Sequence, residues 1–197
     1  MHRPGGRTAR VRGAVLRATG DLLAERGLDG LDLGEVAARA GVGKTTVYRR
    51  WGTRSALVAD LLTDMAETSS PRSRNGTLLA DLEANAELVQ TTLDDPRQGS
   101  LFAALIAAAT CDHDTARSLQ RFYDARVAEW APCVLDAIER GELHERTDAN
   151  AVIRAVSAPL YYHRLTSTEP IGPARARQAA RAAAAAATAE VFAADGR

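Results

Sequence analysis

The 197 residues contain only two cysteines, Cys111 and Cys133, which lie far apart. They fit neither a disulfide framework nor a CxxC metal pair, so no stapled fold and no thiolate metal centre is expected, and a reducing compartment is. Aromatic residues make up 5% of the chain, and there is no sustained period-two alternation bounded by turns, so strands are not expected. No segment approaches the ~20 consecutive apolar residues of a membrane span, and residues 1–6 (MHRPGG) lead into no apolar stretch. The sequence therefore predicts a soluble, cytoplasmic protein with no membrane partner. Motifs of catalysis are missing as well: no nucleophile with its base, no paired carboxylates and no phosphate-binding glycine loop is evident, so neither an enzyme nor a cofactor is expected.

Net charge is also lacking, at zero overall, but the zero conceals sorting. Up to Val58 there are 11 Lys and Arg against 5 Asp and Glu; beyond it there are 14 against 20. The first third is thus built for a polyanion. The hydrophobic fraction of 46% is ample for a buried core.

Apolar residues recur at helical spacing nearly throughout. Val15, Leu16, Thr19, Leu22 and Leu23 predict a helix over 8–26, which Gly27 ends. Asp32 and Glu35 read as a capping box opening a short helix over 33–40, stopped by Gly41. A third short helix is predicted over 44–50, and Thr53 caps a fourth whose Leu57, Leu61, Leu62 and Met65 share one face. The cluster SSPRSRNG at 69–76 reads as the boundary between two functional regions. The predicted division is 1–52, then 53–68 as a connecting helix, then 69–197. Beyond the boundary, Leu79, Leu82, Ala86, Val89 and Leu93 predict a helix ended by DDPRQGS at 94–100, then a buried helix over 101–110. A longer one carries Leu119 to Ile138 in register, with Pro132 as a candidate kink and Gly141 as its stop. Asp148 opens a helix that Pro159 is expected to interrupt, and Pro173 opens a last one running to about Ala194.

The segment DLGEVAARAGVGKTTVYRRW at 32–51 is the informative one: two short helices joined at Gly41, Val42 and Gly43 make a helix-turn-helix, or, by their pattern alone, two helices of an ordinary bundle with a solvated basic face. Val36, Ala37, Ala40, Val42 and Val47 are its predicted core. Lys44, Thr45, Thr46, Tyr48 and Arg49 are left outward, and these residue types contact phosphates and base edges.

LLAERG at 22–27, GEVAARAGVG at 34–43, KTTVYRRW at 44–51 and TRSAL at 53–57 together resemble, in order and without gaps, the N-terminal module of the tetracycline-repressor (TetR) family. IERGEL at 138–143 and APLYYHRLTSTEP at 158–170 are similar to one branch of it. The resemblance implies an all-α fold, with a three-helix DNA-binding domain over 1–52 and, over 69–197, a C-terminal helical bundle for dimerisation and ligand binding. It also implies a homodimeric repressor on a palindromic operator of double-stranded DNA, released by a small-molecule effector. By the same resemblance Lys44 and Thr45 face bases, Thr46, Tyr48 and Arg49 hold phosphates, and Arg54 holds another. Four positions depart from the family's usual residues: Gly43 for serine, Thr45 for glycine, Arg50 for histidine and Trp51 for phenylalanine; and Gly34 stands where many relatives have a polar DNA contact. Arg3, Arg7 and Arg10 form an arm that could reach a minor groove.

The C-terminal half offers Phe102, Ile106, Phe122, Tyr123, Trp130, Tyr161, Tyr162 and His163 as candidates to line an effector pocket, against the alternative of ordinary core packing. Dimerisation is expected in the last two long helices, because their faces are small and apolar. The alanine run at 182–187 suits close helix packing. Capping acids at a helix start explain Asp112, His113 and Asp114 without a metal. A thiol redox sensor through Cys111 and Cys133 is the competing regulatory reading.

Overall fold

A computed structural model describes residues 6–69, 72 and 75–194. Among these the fold is all-α: α1 (Gly6–Arg26), α2 (Leu33–Arg39), α3 (Lys44–Arg50), α4 (Arg54–Thr68), α5 (Leu78–Asp94), α6 (Pro96–Ala109), α7 (His113–Glu139), α8 (Ala149–Thr166) and α9 (Gly172–Thr188). Among the described residues the only β pairing is an isolated bridge between Thr147 and Ala193.

Side-chain caps set many of the helix starts. Asp32 accepts from the Glu35 N–H at 2.8 Å, Thr53 from Ala56 at 3.1 Å, Thr77 from Ala80 at 3.3 Å and Asp112 from Thr115 at 2.7 Å. Each satisfies one of the orphan donors of a first turn. Only the Asp32 half of the predicted capping box is used so, for Glu35 turns to Arg26 Nη1 at 2.8 Å.

Three predicted boundaries are corrected. The stretch 94–100 does end α5, at Asp94, but the next helix begins at Pro96 and not at Leu101. Proline suits the first helical position, and Asp95 Oδ1 accepts from the N–H groups of Arg97 and Gln98 at 3.1 and 2.7 Å. Pro159 does not interrupt α8, and Pro132 likewise sits inside α7. Val156 and Leu160, both fully buried, hold α8 in place on either side of Pro159, and that packing outweighs the roughly 3 kcal/mol a helical proline costs. The last helix stops at Thr188 instead of running to Ala194. The chain then doubles back, with Asp148 N–H donating to Phe192 O at 2.8 Å and Ala194 N–H to Arg146 O at 3.1 Å.

The described residues fall into two compact units. The first takes those of Met1–Ser69 together with Ser100–Phe122, the second those of Ser70–Gly99 and Tyr123–Arg197. The stretch Ser100–Phe122 thus groups with the first unit and not with the C-terminal remainder. In the first unit α1 packs on α2 and α4, and α2 on α3. In the second, α5, α8 and α9 pack on one another. α9 buries Ala176, Ala179, Ala180, Ala183 and Ala187 at helical spacing. Alanines there let the helix axes approach, so Ala183 and Ala187 of the alanine run are consumed inside the chain while Ala182 and Ala185 remain exposed. Asp94 fastens the start of α9, its two oxygens accepting from Ile171 and Gly172 N–H at 2.8 and 3.0 Å.

Candidate nucleic-acid interface

The turn between α2 and α3 needs a left-handed residue, and Gly41 supplies it with φ of 66°. Val36, Ala37 and Val47 are completely buried beneath it, and Ala40 and Val42 are half-buried. This small core fixes the angle between the two helices. Val47 is the only buried residue within α3. Lys44, Thr45, Tyr48 and Arg49 are exposed on that helix, Thr46 is half-buried, and Arg54 is exposed at the start of α4.

Some cations of this unit are paired with carboxylates and others are not. Arg12 is bound to Asp60 and Asp64, Arg26 to Glu35, and Arg39 to Glu25 at 2.6 and 3.0 Å. These guanidinium groups are engaged in holding helices together. The Glu25 carboxyl is held below its ordinary range first by its hydrogen bond to Arg39. Lys44, Arg49 and Arg54, by contrast, make no ion pair among the described residues. A solvated cation with no internal partner is the kind a phosphate recruits without first breaking a bond.

An open cleft of about 450 Å³ runs along the turn, lined by Thr8 and Val11 of α1, Gly41, Val42 and Gly43, and Thr46, Arg49 and Arg50 of α3. It brings the predicted phosphate holders Thr46 and Arg49 together. It also adds Thr8 and Arg50, neither of which is among the predicted DNA contacts: Thr8 gives no local signal, lying 38 positions before Thr46. Arg50 stacks over the Trp51 ring at 5.0 Å, a cation–π contact. Lys44 lies across Gly34, where an added Cβ would come within 3.4 Å of its Cε and Nζ. Of the N-terminal arm, Arg3 and the Arg7 side chain lie outside the described residues; Arg10 donates from Nε to Gly6 O at 3.0 Å.

The effector candidates divide between the units. Phe102 and Phe122, with ring centroids 5.5 Å apart, and Ile106 belong to the first. Tyr123, Trp130, Tyr161, Tyr162 and His163 belong to the second, where Tyr123 and Tyr161 meet edge to face at 5.3 Å. Burial pushes the Tyr161 hydroxyl up to about 12 and raises Tyr123 further. Tyr162 does not join them: it is 71% exposed, being adjacent to Tyr161 and so on another face. His163 Nε2 lies 3.1 Å from Glu169 O. Among the described residues no group of three or more His, Cys, Asp or Glu could hold a metal, and no helix is long and apolar enough to cross a membrane.

The sequence profile described as "Bacterial regulatory proteins, tetR family" matches residues 15–61. That described as "Tetracyclin repressor-like, C-terminal domain" matches 73–183, more than half of the chain. The chain belongs to the TetR family. It is 28% identical over 165 residues to the uncharacterised HTH-type transcriptional regulator YdeS of Bacillus subtilis, covering 83% of each chain. It is 31% identical over 156 residues to the HTH-type transcriptional regulator AqdR of Rhodococcus erythropolis, covering 75% of this chain and 73% of that one. Among solved structures it superposes on GusR of Salmonella enterica with a TM-score of 0.73, at 18% identity, over 96% of this chain and 97% of that one. This TetR-family chain is therefore a DNA-binding transcriptional regulator and not an enzyme, and the surface just described is its helix-turn-helix.

Proposed function

We propose that the protein is a cytoplasmic, homodimeric repressor that binds a palindromic operator through α3 and is released by a small molecule acting on its C-terminal region. Residues 1–52 read the DNA, 53–68 connect, and 69–197 dimerise and sense. The observation that carries the reading is the face of the helix-turn-helix: Lys44, Arg49 and Arg54 are exposed and make no ion pair among the described residues, whereas Arg12, Arg26 and Arg39 of the same unit are paired with carboxylates. In this reading Lys44 and Thr45 face bases, and Thr46, Tyr48, Arg49 and Arg54 hold phosphates. A closed two-fold assembly then matches a two-fold operator.

For the dimer, α8 and α9 offer exposed Tyr162 and Leu165 (71% and 49%) beside the small outward residues Ala158, Ala182 and Ala185. For the effector, the second unit holds buried polar atoms that nothing satisfies: Trp130 Nε1 and Asn85 Oδ1 have no hydrogen-bond partner among the described residues. A ligand carrying both an acceptor and a donor beside an aromatic body would relieve them. Of the aromatic candidates in that unit, Tyr123 and Tyr161, which meet edge to face, would supply its walls.

The test begins with selection of duplexes from a random pool by the full-length chain, then sedimentation of the complex. Enrichment of an inverted repeat bound by two chains is the expected result. Enrichment of a single half-site bound by one chain sinks the dimeric reading. Because α9 supplies core alanines to its own chain, the interface is probed by Tyr162→Asp and Ala182→Arg and not by truncation.

A further inference from the structure

The recognition helix α3 is short, and one buried side chain, Val47, seats it on α2. Its far end is held differently. Trp51, which caps α3, is only 8% exposed, and its indole N–H donates to Asp60 Oδ2 on α4 at 2.9 Å. The same carboxylate is gripped from the other side by α1: Arg12 Nη2 donates to Asp60 Oδ1 at 2.7 Å and Arg12 Nε to Oδ1 and Oδ2 at 3.1 and 3.2 Å. Arg12 Nη1 also reaches Asp64 one turn along α4. One carboxylate thus joins three helices, and only one of its bonds runs to the element that enters the groove.

We propose that Asp60 is a positioning residue for operator recognition: through the Trp51 indole N–H it sets the angle at which α3 leaves its seat on α2, while Arg12 fixes the Asp60 carboxylate itself. The inference rests on the operator reading. Geometry gives the reason. A helix pinned at one point by Val47 can pivot about it, and base readout tolerates little rotation, since a bidentate contact needs both of its atoms within hydrogen-bond reach. A second anchor at the end of α3 removes the pivot. Contacts to phosphates on non-specific DNA, made by long flexible side chains, need no such angle.

Three full-length variants test this: Trp51→Phe, which removes the N–H and keeps a ring for packing; Asp60→Ala; and the two combined. Affinity is measured for a duplex enriched by the wild type from a random pool and for a scrambled duplex of the same length, at a temperature where circular dichroism shows each variant folded. Trp51→Phe is expected to lose about fivefold on the enriched duplex, the worth of one hydrogen bond, and nothing on the scrambled one. The double variant is expected to bind no more weakly than Asp60→Ala, because the indole then has no acceptor left to lose. A merely structural bond lowers the melting temperature and leaves the ratio of the two affinities alone. An unchanged ratio in Trp51→Phe, or losses that add in the double variant, overturns the positioning role while leaving the operator reading intact. A wild type that enriches no sequence overturns both.

Discussion

Removing Arg49 and removing Arg39 change the charge of the helix-turn-helix by the same amount, yet they should do different things to DNA binding. Arg39 is engaged with Glu25 at 2.6 and 3.0 Å, whereas Arg49 lines the cleft along the turn and makes no ion pair among the described residues. If Arg49 meets a phosphate, Arg49→Ala removes one ionic contact from each protomer. Each contact contributes about 0.9 to the slope of log affinity against log salt, so a dimer should lose up to about 1.8. Arg39→Ala frees Glu25 without removing a phosphate contact, and its slope should match the wild type. Tyr48→Phe, a neutral change on the same helix, should weaken binding with the slope untouched. Fluorescence anisotropy of a labelled operator duplex over a range of salt concentrations measures all three. Equal slopes for Arg49→Ala and Arg39→Ala would mean that binding responds to net charge alone, and that the sorting of paired from unpaired arginines carries no information about the interface.

Three further outcomes follow from the geometry. Gly41→Ala should cost about 1 to 2 kcal/mol in urea unfolding, because φ is 66° there while nothing lies within 4 Å of the added Cβ, so the loss is backbone strain alone; an unchanged midpoint would show the turn relaxing freely. A thiol reagent should modify exposed Cys111 at once and buried Cys133 only in denaturant, since burial first, and then Asp81 and Asp136 against the opposing Arg72, push the Cys133 thiol up to about 12; rapid reaction of both would revive the redox reading. At Asp60 burial acts to raise the carboxyl, but hydrogen bonds from Arg12 and Trp51 and the charges of Arg12 and Arg50 outweigh it and hold the group below its ordinary 3.8. A carboxyl depressed in the folded state adds stability that is complete above its unfolded value and lost as pH falls through the folded one. Asp60→Asn should therefore destabilise near neutrality and converge with the wild type in strong acid; a difference that instead vanishes on raising the pH would contradict the assignment.

The parts of the fold that show in the sequence are those set by neighbours in the chain. Asp32, Thr53 and Asp112 cap helices because each side chain reaches an N–H three residues on, and Gly41 is legible because its backbone conformation is a local demand. The outward set on α3 follows from the same periodicity, since burying Val47 leaves Lys44, Thr45, Tyr48 and Arg49 on other faces. What local rules misjudge are the prolines. Pro96 reads as a stop but opens α6, because Asp95 satisfies the donors behind it; Pro159 reads as a break but is carried through by the packing of Val156 and Leu160. Both outcomes depend on partners that a window of a few residues does not weigh correctly.

The Asp60 junction lies beyond such a window altogether. Arg12 and Asp60 are separated by 48 positions, and nothing in either helix's periodicity distinguishes this pair from any surface arginine and aspartate. Trp51 is the one local hint: an indole in place of a benzyl ring adds a donor, and a donor at a position only 8% exposed has to be satisfied. Asp60 satisfies it at 2.9 Å, but an aspartate placed so costs desolvation of its charge unless a cation is brought to it, and Arg12 is that cation. The three residues therefore form a chain of requirements in which each explains the next. Replacing Trp51 by Phe removes the reason for the chain while leaving the Arg12 to Asp60 pair in place. That asymmetry separates holding the domain together, which the ion pair does, from aiming α3, which the indole bond does.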